Sequence, residues 1–380
     1  MGRWQVGYFQ EAMRIAKEYG RSSFEFSDAI YNGMSISRPK LPNKLYKFFR
    51  PTTQNILDLL NMRLYLAEPQ SFNDPFDSVV GVKEHEYIKQ YVLSVFKENM
   101  ASDERFTQDW YNKIKWAPLP NNYNDWSYSR NPNYEVRIYE FEDELIKHIR
   151  SGELNVACGS AREELQQMVD SVKNSIIPKR VACFFSGDED AVLRHTAMWG
   201  HYADNGRGYC VEYDLSQLEE AKNQAQAEIS NGIYVSKNKL NRLKKIAAGI
   251  FPVEYSKRRP HVSWRVLAQK NNELECEKAF WRSCLTKSTS WSKEKEYRLV
   301  IPEEDIALEN YKIPFPFIKA IHLGWGMDIS IKRDIISALK SQEPEISIYE
   351  YRPSPEEYSL TQQLFKRTAE WQEYLAEINK

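Results

Sequence analysis

Residues Val181 to Asp214 read VACFFSGDEDAVLRHTAMWGHYADNGRGYCVEYD, two apolar, strand-like runs enclosing a polar segment that carries Trp199, His201, Tyr202, Asp204 and Asn205. A polar connection between two buried strands is where chemistry commonly sits, so this segment sets the fold expectation and the first site candidates. Further along, Lys287 to Pro302, KSTSWSKEKEYRLVIP, spaces Glu294, Glu296 and Arg298 at period two before apolar Leu-Val-Ile, which predicts all three on one strand face. Upstream, Tyr46 to Asp77, YKFFRPTTQNILDLLNMRLYLAEPQSFNDPFD, predicts a strand, a helix and a second strand closing on an Asn-Asp-Pro turn. Three polar clusters attached to strand ends predict one shared cleft.

Apolar spacing supplies the remaining elements. Helices are expected over residues 6–19, Gln54 to Leu60, Tyr87 to Met100, Phe141 to Arg150, Ser160 to Val172, Leu215 to Ile229, Lys237 to Ala248, Glu273 to Ser283 and Asp328 to Leu339. Strands are expected at Arg63 to Ala67, Phe251 to Tyr255, Ile318 to Leu323 and Ile346 to Tyr351, and Pro355 to Asn379 reads as a helical tail. Residues 117–134, rich in Pro, Asn, Trp and Tyr, read as a long loop. Strands do not alternate regularly with helices, so the class expected is α+β with a mixed, mostly antiparallel sheet. The organisation expected is an N-terminal helical extension over 1–40 and one α+β domain over 41–352. A helical insertion at about 83–179 interrupts that domain, and a helical tail over 353–380 follows it.

The 380 residues can bury a sizeable core, and 52 Lys and Arg against 53 Asp and Glu leave no whole-chain field that would favour nucleic acid or an anionic membrane. Five cysteines without a CxxC spacing read as reduced thiols of a cytoplasmic protein. No run of about 18 apolar residues and no secretory leader is found, so no membrane association is expected.

Neither a dinucleotide glycine fingerprint nor a phosphate loop occurs, and Gly206-Arg-Gly208 is too short for either. His195 and His201 have the wrong spacing for two ligands on one helix face, so no metal is expected, Asp188, Glu189 and Asp190 notwithstanding. The chemistry falls to scattered polar residues. Arg50 would supply a fixed cation, His201 and Tyr202 a hydrogen-bonding and stacking pair, Trp199 a stacking face, and Glu294 and Glu296 carboxylates. Arg298, Asn73 and Asp74 complete the binding candidates. Such a set suits a phosphate-bearing aromatic ligand, and nicotinamide dinucleotide (NAD), taken as substrate, offers a phosphate, a flat ring and a ribose that passes through an oxocarbenium ion.

Each residue also has a plainer explanation. Glu294, Glu296 and Arg298 could form cross-strand ion pairs on a solvated face, Trp199 could be core, and His201 could be a structural histidine. Arg50 could pair with Asp74 or Asp77, and Asn73 and Asp74 could be turn chemistry alone. Lys237, Lys239, Arg242, Lys244 and Lys245 on a helix, followed by Lys257, Arg258 and Arg259, could track a nucleic-acid backbone or could simply be solvated.

The motifs YKFFR, SFNDPFD, MWGHYADNGRGYCVEYD and EKEYRLV, in that order, make the chain resemble the bacterial family called domain of unknown function 2971. The resemblance spans roughly Lys44 to Lys340, with Gly200 replacing the family's usual Ser. More distantly, the order of elements is similar to that of ADP-ribosyltransferases. That similarity implies Glu296 as the catalytic Glu, Glu294 as its companion and Lys47 or Arg50 as a first-strand ligand, without the His or the Ser-Thr-Ser signature of the subclasses. The activity implied is ADP-ribosyl transfer or NAD hydrolysis by a bacterial toxin or antiviral effector, with a nucleic-acid or protein acceptor and a cognate regulator or antitoxin. The alternative is a non-catalytic nucleotide-sensing or protein-binding module that assembles or oligomerises through its terminal helices.

Overall fold

A computed structural model describes residues 41–82, 84–99, 151–175, 178–187, 196–234, 236–269, 273–342 and 346–365, with single positions or short groups at 13–14, 18, 29–31 and 108. Of the helix expected over 6–19, Met13, Arg14 and Glu18 are described, all helical. The expected loop over 117–134, the helix from Phe141 to Arg150, residues 188–195 and residues 366–380 lie outside the described residues.

The strands are, in chain order, β1 Lys44–Phe49, β2 Arg63–Tyr65, β3 Gly81–Val82, β4 Lys179–Phe185, β5 Tyr209–Asp214, β6 Ile250–Pro252, β7 Glu254–Ser256 and β8 His261–Val262. They continue with β9 Thr286–Ser288, β10 Glu296–Pro302, β11 Lys312–Pro314, β12 Ile318–Leu323, β13 Ser347–Pro353 and β14 Leu360–Phe365. The chain divides into two compact units. One comprises residues 1–79, 177–259 and 281–380, and the other 80–176 and 260–280.

The larger unit is built on an eight-stranded sheet in the order β14-β13-β12-β5-β1-β4-β10-β6. Its neighbours are antiparallel except β12 and β13, which makes the molecule α+β as expected. Period-two alternation sends Leu45 into one apolar cluster with Phe184, Val211, Tyr213 and Leu299, and Tyr46 and Phe48 into a second with Phe185, Trp199, Cys210 and Tyr351. The central strands are therefore covered on both faces, which is why they read as continuous apolar runs. Helices form where capping and apolar spacing agree. Thr52 accepts a hydrogen bond from the Asn55 amide at the start of Thr53–Leu60, and Asp214 accepts one from the Ser216 amide at the start of Leu215–Ser230.

Three expectations change. The tail is a strand over β14, because its backbone pairs antiparallel with β13 from Ile348↔Phe365 to Pro353↔Leu360. The expected strand at Phe251 to Tyr255 splits in two. The Val253 amide turns to the Glu296 carbonyl, so β6 pairs with β10 and β7 with β9. The polar segment after β4 is helical over Thr196–Tyr202 rather than loop throughout.

In the smaller unit, helices Glu84–Asn99 and Ser151–Ser175 pack together, and Tyr87 meets Trp264 edge to face at 5.3 Å between ring centroids. β3 pairs in parallel with β8 there.

Candidate functional site

Where β10 begins, side chains from several parts of the larger unit meet around Glu296. The Arg298 guanidinium, fully buried, donates from Nε to Glu296 Oε1 at 2.6 Å and reaches Asp77 through two bonds, 2.7 Å to Oδ1 and 2.6 Å to Oδ2. It also donates to Ser78 Oγ at 3.2 Å and to the Cys284 carbonyl, and its plane lies 5.2 Å from the Phe72 ring centroid. Lys287 Nζ bridges the two glutamates, 2.7 Å to Glu294 Oε2 and 2.9 Å to Glu296 Oε2. Tyr202 Oη donates to Glu294 Oε1 at 2.6 Å, and the Glu296 amide donates to Tyr255 Oη at 2.9 Å.

The backbone explains how two glutamates share one lysine. Glu296 and Arg298 point to the same face of β10 by strand alternation, as the sequence predicts. Glu294 does not belong to that strand. It ends a 3-10 turn over Thr289–Glu294, and Lys295 follows in the left-handed region at φ 46°. The reversal at Lys295 turns the Glu294 carboxylate back onto Lys287. The solvated ion-pair alternative is overturned by burial, since Glu294 is 6% exposed, Glu296 1% and Arg298 0%.

Burial alone would raise the Glu296 carboxyl, but Arg298 and Lys287 outweigh it and hold it at about 2. Glu294 moves the other way. Burial and the neighbouring charge of Glu296 raise it more than Lys287 lowers it. Burial opposes the charge on Lys287, yet Glu296 and Glu294 carry its pKa upward. Tyr202 is pushed up by burial and then by Glu294, so it stays a donor. Among the described residues the hydrogen-bonded cluster holds three carboxylates, Asp77, Glu294 and Glu296, and two cations, Lys287 and Arg298.

The outer edge of the cluster is aromatic. His201 is exposed, and Tyr202 and Trp291 are half-buried. The His201 ring lies 6.0 Å from Trp291 and 6.2 Å from Tyr202, edge-on to both, and Lys287 Nζ sits 4.9 Å from the Trp291 centroid. Behind them, Tyr202 contacts Phe185 at 5.0 Å. The loop that follows is fixed by contact. Gly206, at φ +80°, leaves room that a Cβ would not, since that atom would lie 2.3 Å from the Trp325 ring.

The three sequence motifs thus converge, with some members exchanged. From FNDPFD the residue that arrives is Asp77, with Ser78 just after the motif. Asn73 is exposed, and Asp74 is spent on its turn, accepting from the Phe76 amide at 2.9 Å. The guanidinium that binds Asp77 is Arg298, and Arg50 is exposed at the end of β1, so the pairing of Arg50 with Asp77 is replaced. Lys47 shares the face of β1 that carries Leu45 and Phe49, opposite Tyr46. Its ammonium donates to the Cys183 carbonyl at 3.1 Å over the Phe49 and Phe184 rings, and burial lowers its pKa. Trp199 is wholly buried, packed on Phe48 at 5.1 Å, and belongs to the core. Cys183 borders the cluster, its thiol pushed up by burial and then by Glu296, which argues against a nucleophile there. Residues that sequence reasoning missed are Lys287, Asp77, Tyr255 and Trp291.

The basic helix Ser236–Ala248 is partly neutralised in place. Lys245 bonds both Asp305 carboxylate oxygens at 2.7 Å, and Arg242 pairs with Glu309. Arg259 lies 5.4 Å from the Phe76 ring, while Lys237, Lys239, Lys244, Lys257 and Arg258 are exposed. No helix of the described residues is long and apolar enough to cross a membrane.

No curated protein and no solved structure matches the chain. Residues 198–299 match the family model described as Protein of unknown function (DUF2971). The matched segment runs from the helix of His201 and Tyr202 through Lys287, Glu294, Glu296 and Arg298, so the similarity to this family covers the cluster but not the whole chain.

Proposed function

We propose that this chain is an enzyme that cleaves the glycosidic bond of a nicotinamide dinucleotide, with the Tyr202–Glu294 edge of the buried cluster as its working group. The observation that carries the proposal is the sharing of one lysine by two buried glutamates, of which Glu294 also accepts from Tyr202 at the aromatic rim. Two carboxyls whose environments push their pKa values apart are a recurrent basis for dividing acid, base and electrostatic roles. In the step proposed, the bond between ribose C1′ and the nicotinamide nitrogen breaks and its electron pair leaves with nicotinamide. The carboxylate face of Glu294 and Glu296 stabilises the cationic ribose. Water or an acceptor nucleophile then bonds to C1′ and yields its proton to Glu294, which releases it to solvent.

The geometry supports a division within the pair that differs from the order-of-elements expectation. Glu296 has one oxygen on Arg298 and the other on Lys287, so it acts by fixing Lys287 and lending charge. Glu294 is the carboxylate that Tyr202 orients. Transfer to a macromolecule, with the exposed lysines of Ser236–Ala248 as an acceptor surface and a toxin or defence role in the cell, extends the same proposal.

A second reading has its own support. Arg298 directs its guanidinium to Glu296, Asp77, Ser78 and a backbone carbonyl, all within the fold, as a fold-fixing ion cluster in a binding module would. The test is incubation of the purified full chain with NAD, alone and with cell extract, following released nicotinamide and labelled acceptors. Release that disappears in Glu294→Gln supports the enzyme, and the labelled species names the acceptor. Absence of release in both mixtures favours the binding module.

A further inference from the structure

The helices Leu215–Ser230 and Ser236–Ala248 pack as a hairpin, and the second of them shows three sides. Leu240, Leu243, Ile246 and Ala247 face the core. Arg242 and Lys245 are paired with Glu309 and Asp305, and these are the helix's ion pairs among the described residues. Lys237, Asn241 and Lys244, spaced four and then three, form the remaining side, and all three are exposed. That side therefore keeps its positive charge.

Ile233 and Tyr234 stand at the tip of the hairpin, just ahead of Lys237. Backbone bonds fix the tip. The Gly232 amide donates to the Ile229 carbonyl, the Ile233 amide to the Glu228 carbonyl and the Lys237 amide to the Tyr234 carbonyl, each at 3.0 Å. Glu228, the acidic side chain there, accepts from Ser236 Oγ at 2.5 Å. The apolar pair is thus held outward in a fixed place, Tyr234 at 78% exposure and Ile233 at 52%.

An aromatic ring held out beside two uncommitted lysines matches the chemistry of a nucleic-acid strand with unpaired bases. Phosphates supply the missing counter-charge, and a base stacks on the ring whatever its identity. In a duplex the bases already stack on one another, which leaves the ring no free face. An anionic lipid surface would also satisfy the lysines, but it favours a broader apolar face than one Ile and one Tyr.

We infer that Tyr234, Lys237 and Lys244 form a binding site for single-stranded nucleic acid. Tyr234 stacks on a base, and the lysines, about 10 Å apart along the helix, hold phosphates on either side of Asn241. The binding does not depend on NAD cleavage, whereas a role for the bound strand as acceptor of ADP-ribose rests on the enzyme reading.

The test is fluorescence anisotropy of a labelled mixed-sequence oligonucleotide, single-stranded and as a duplex, across a salt series. It uses the full chain as wild type, Tyr234→Ala, Tyr234→Phe and the double variant Lys237→Ala with Lys244→Ala, and phosphatidylserine vesicles serve as the competing surface. The wild type should prefer the single strand, Tyr234→Ala should weaken it by roughly tenfold and Tyr234→Phe should recover most of the loss. The double lysine variant should reduce the slope of log affinity against log salt by about 1.4. Binding of neither oligonucleotide, a duplex bound as tightly as the single strand, or a single-strand affinity indifferent to Tyr234→Ala would each overturn the inference. Binding to vesicles and not to oligonucleotide would overturn it in favour of a membrane. Strand binding without NAD cleavage would remove the enzyme reading alone, and cleavage without strand binding would remove this site alone.

Discussion

Two polar regions of the larger unit look alike in composition and differ in physics. The segment from Lys287 to Arg298 and the helix Ser236–Ala248 are both dense in charge, but Lys287, Glu294, Glu296 and Arg298 of the first are buried, whereas the lysines and arginine of the second are exposed. In the first, Arg298 and Glu294 take partners brought from far along the chain, Asp77 and Tyr202. In the second, Lys245 and Arg242 take partners at the surface, from Asp305 and Glu309. The difference teaches that charge density in a sequence is a poor guide to a site, and that long-range partnership under burial is a better one. Desolvated ions must be paired, so removing one partner is costly, whereas solvated pairs contribute little.

The sharpest way to break this comparison is to remove the cation with most partners. Arg298→Met strands Asp77 in the interior and leaves Glu296 with Lys287 alone, and urea unfolding should show a loss of about 3–5 kcal/mol. Arg298→Lys keeps the charge but not the two-pronged grip on Asp77, and should recover only part of that stability.

Glu296→Gln comes next. It leaves Lys287 with Glu294 and Arg298 with Asp77, and should cost about 1–3 kcal/mol in the same unfolding measurement. The pH dependence gives it a signature. Glu296 is depressed to about 2 from an ordinary 4.5, so its contribution is present above about 4.5 and is lost as the pH falls toward 2. Glu294 has the opposite sign. Its raised carboxyl favours the folded state most at low pH, and that contribution is lost as the pH rises through its folded value. A stability curve against pH should therefore lose its acid-side fall in Glu296→Gln and should decline less toward neutral pH in Glu294→Gln.

The smallest effects belong to the basic helix. Lys245→Ala and Arg242→Ala should each change unfolding by less than about 1 kcal/mol, and the change should shrink further in high salt. Replacing Lys237, Lys239 and Lys244 together should leave release of nicotinamide into water unaltered and weaken labelling of any polyanionic acceptor. Equal loss of both would transfer the helix into the site itself.

Much of this was legible in the residues, and the failures share a cause. Strand alternation gave Glu296 and Arg298 one face because their spacing lies within a single regular element. The same rule placed Glu294 on that strand wrongly, because a left-handed Lys295 is invisible to periodicity. Arg50 is the nearby cation that the sequence offers to Asp74 or Asp77, whereas the partner of Asp77 stands 221 positions away, a distance over which no local pattern operates. Lys287 carries no signal apart from lying in the same polar patch as its two glutamates. The helical reading of the tail failed where a strand edge was available. The β13 ladder supplied backbone partners to Leu360–Phe365 that local propensity did not anticipate.

The central claim is that the two glutamates, alike in sequence, divide the work, Glu294 reacting and Glu296 holding the cluster together. The direct test measures NAD cleavage and unfolding side by side in Glu294→Gln and Glu296→Gln. The account predicts that Glu294→Gln keeps its unfolding midpoint within about 1 kcal/mol of the parent while turnover falls by roughly 10²–10⁴. It predicts that Glu296→Gln loses stability first. Turnover at the parental rate in a folded Glu294→Gln chain would contradict it.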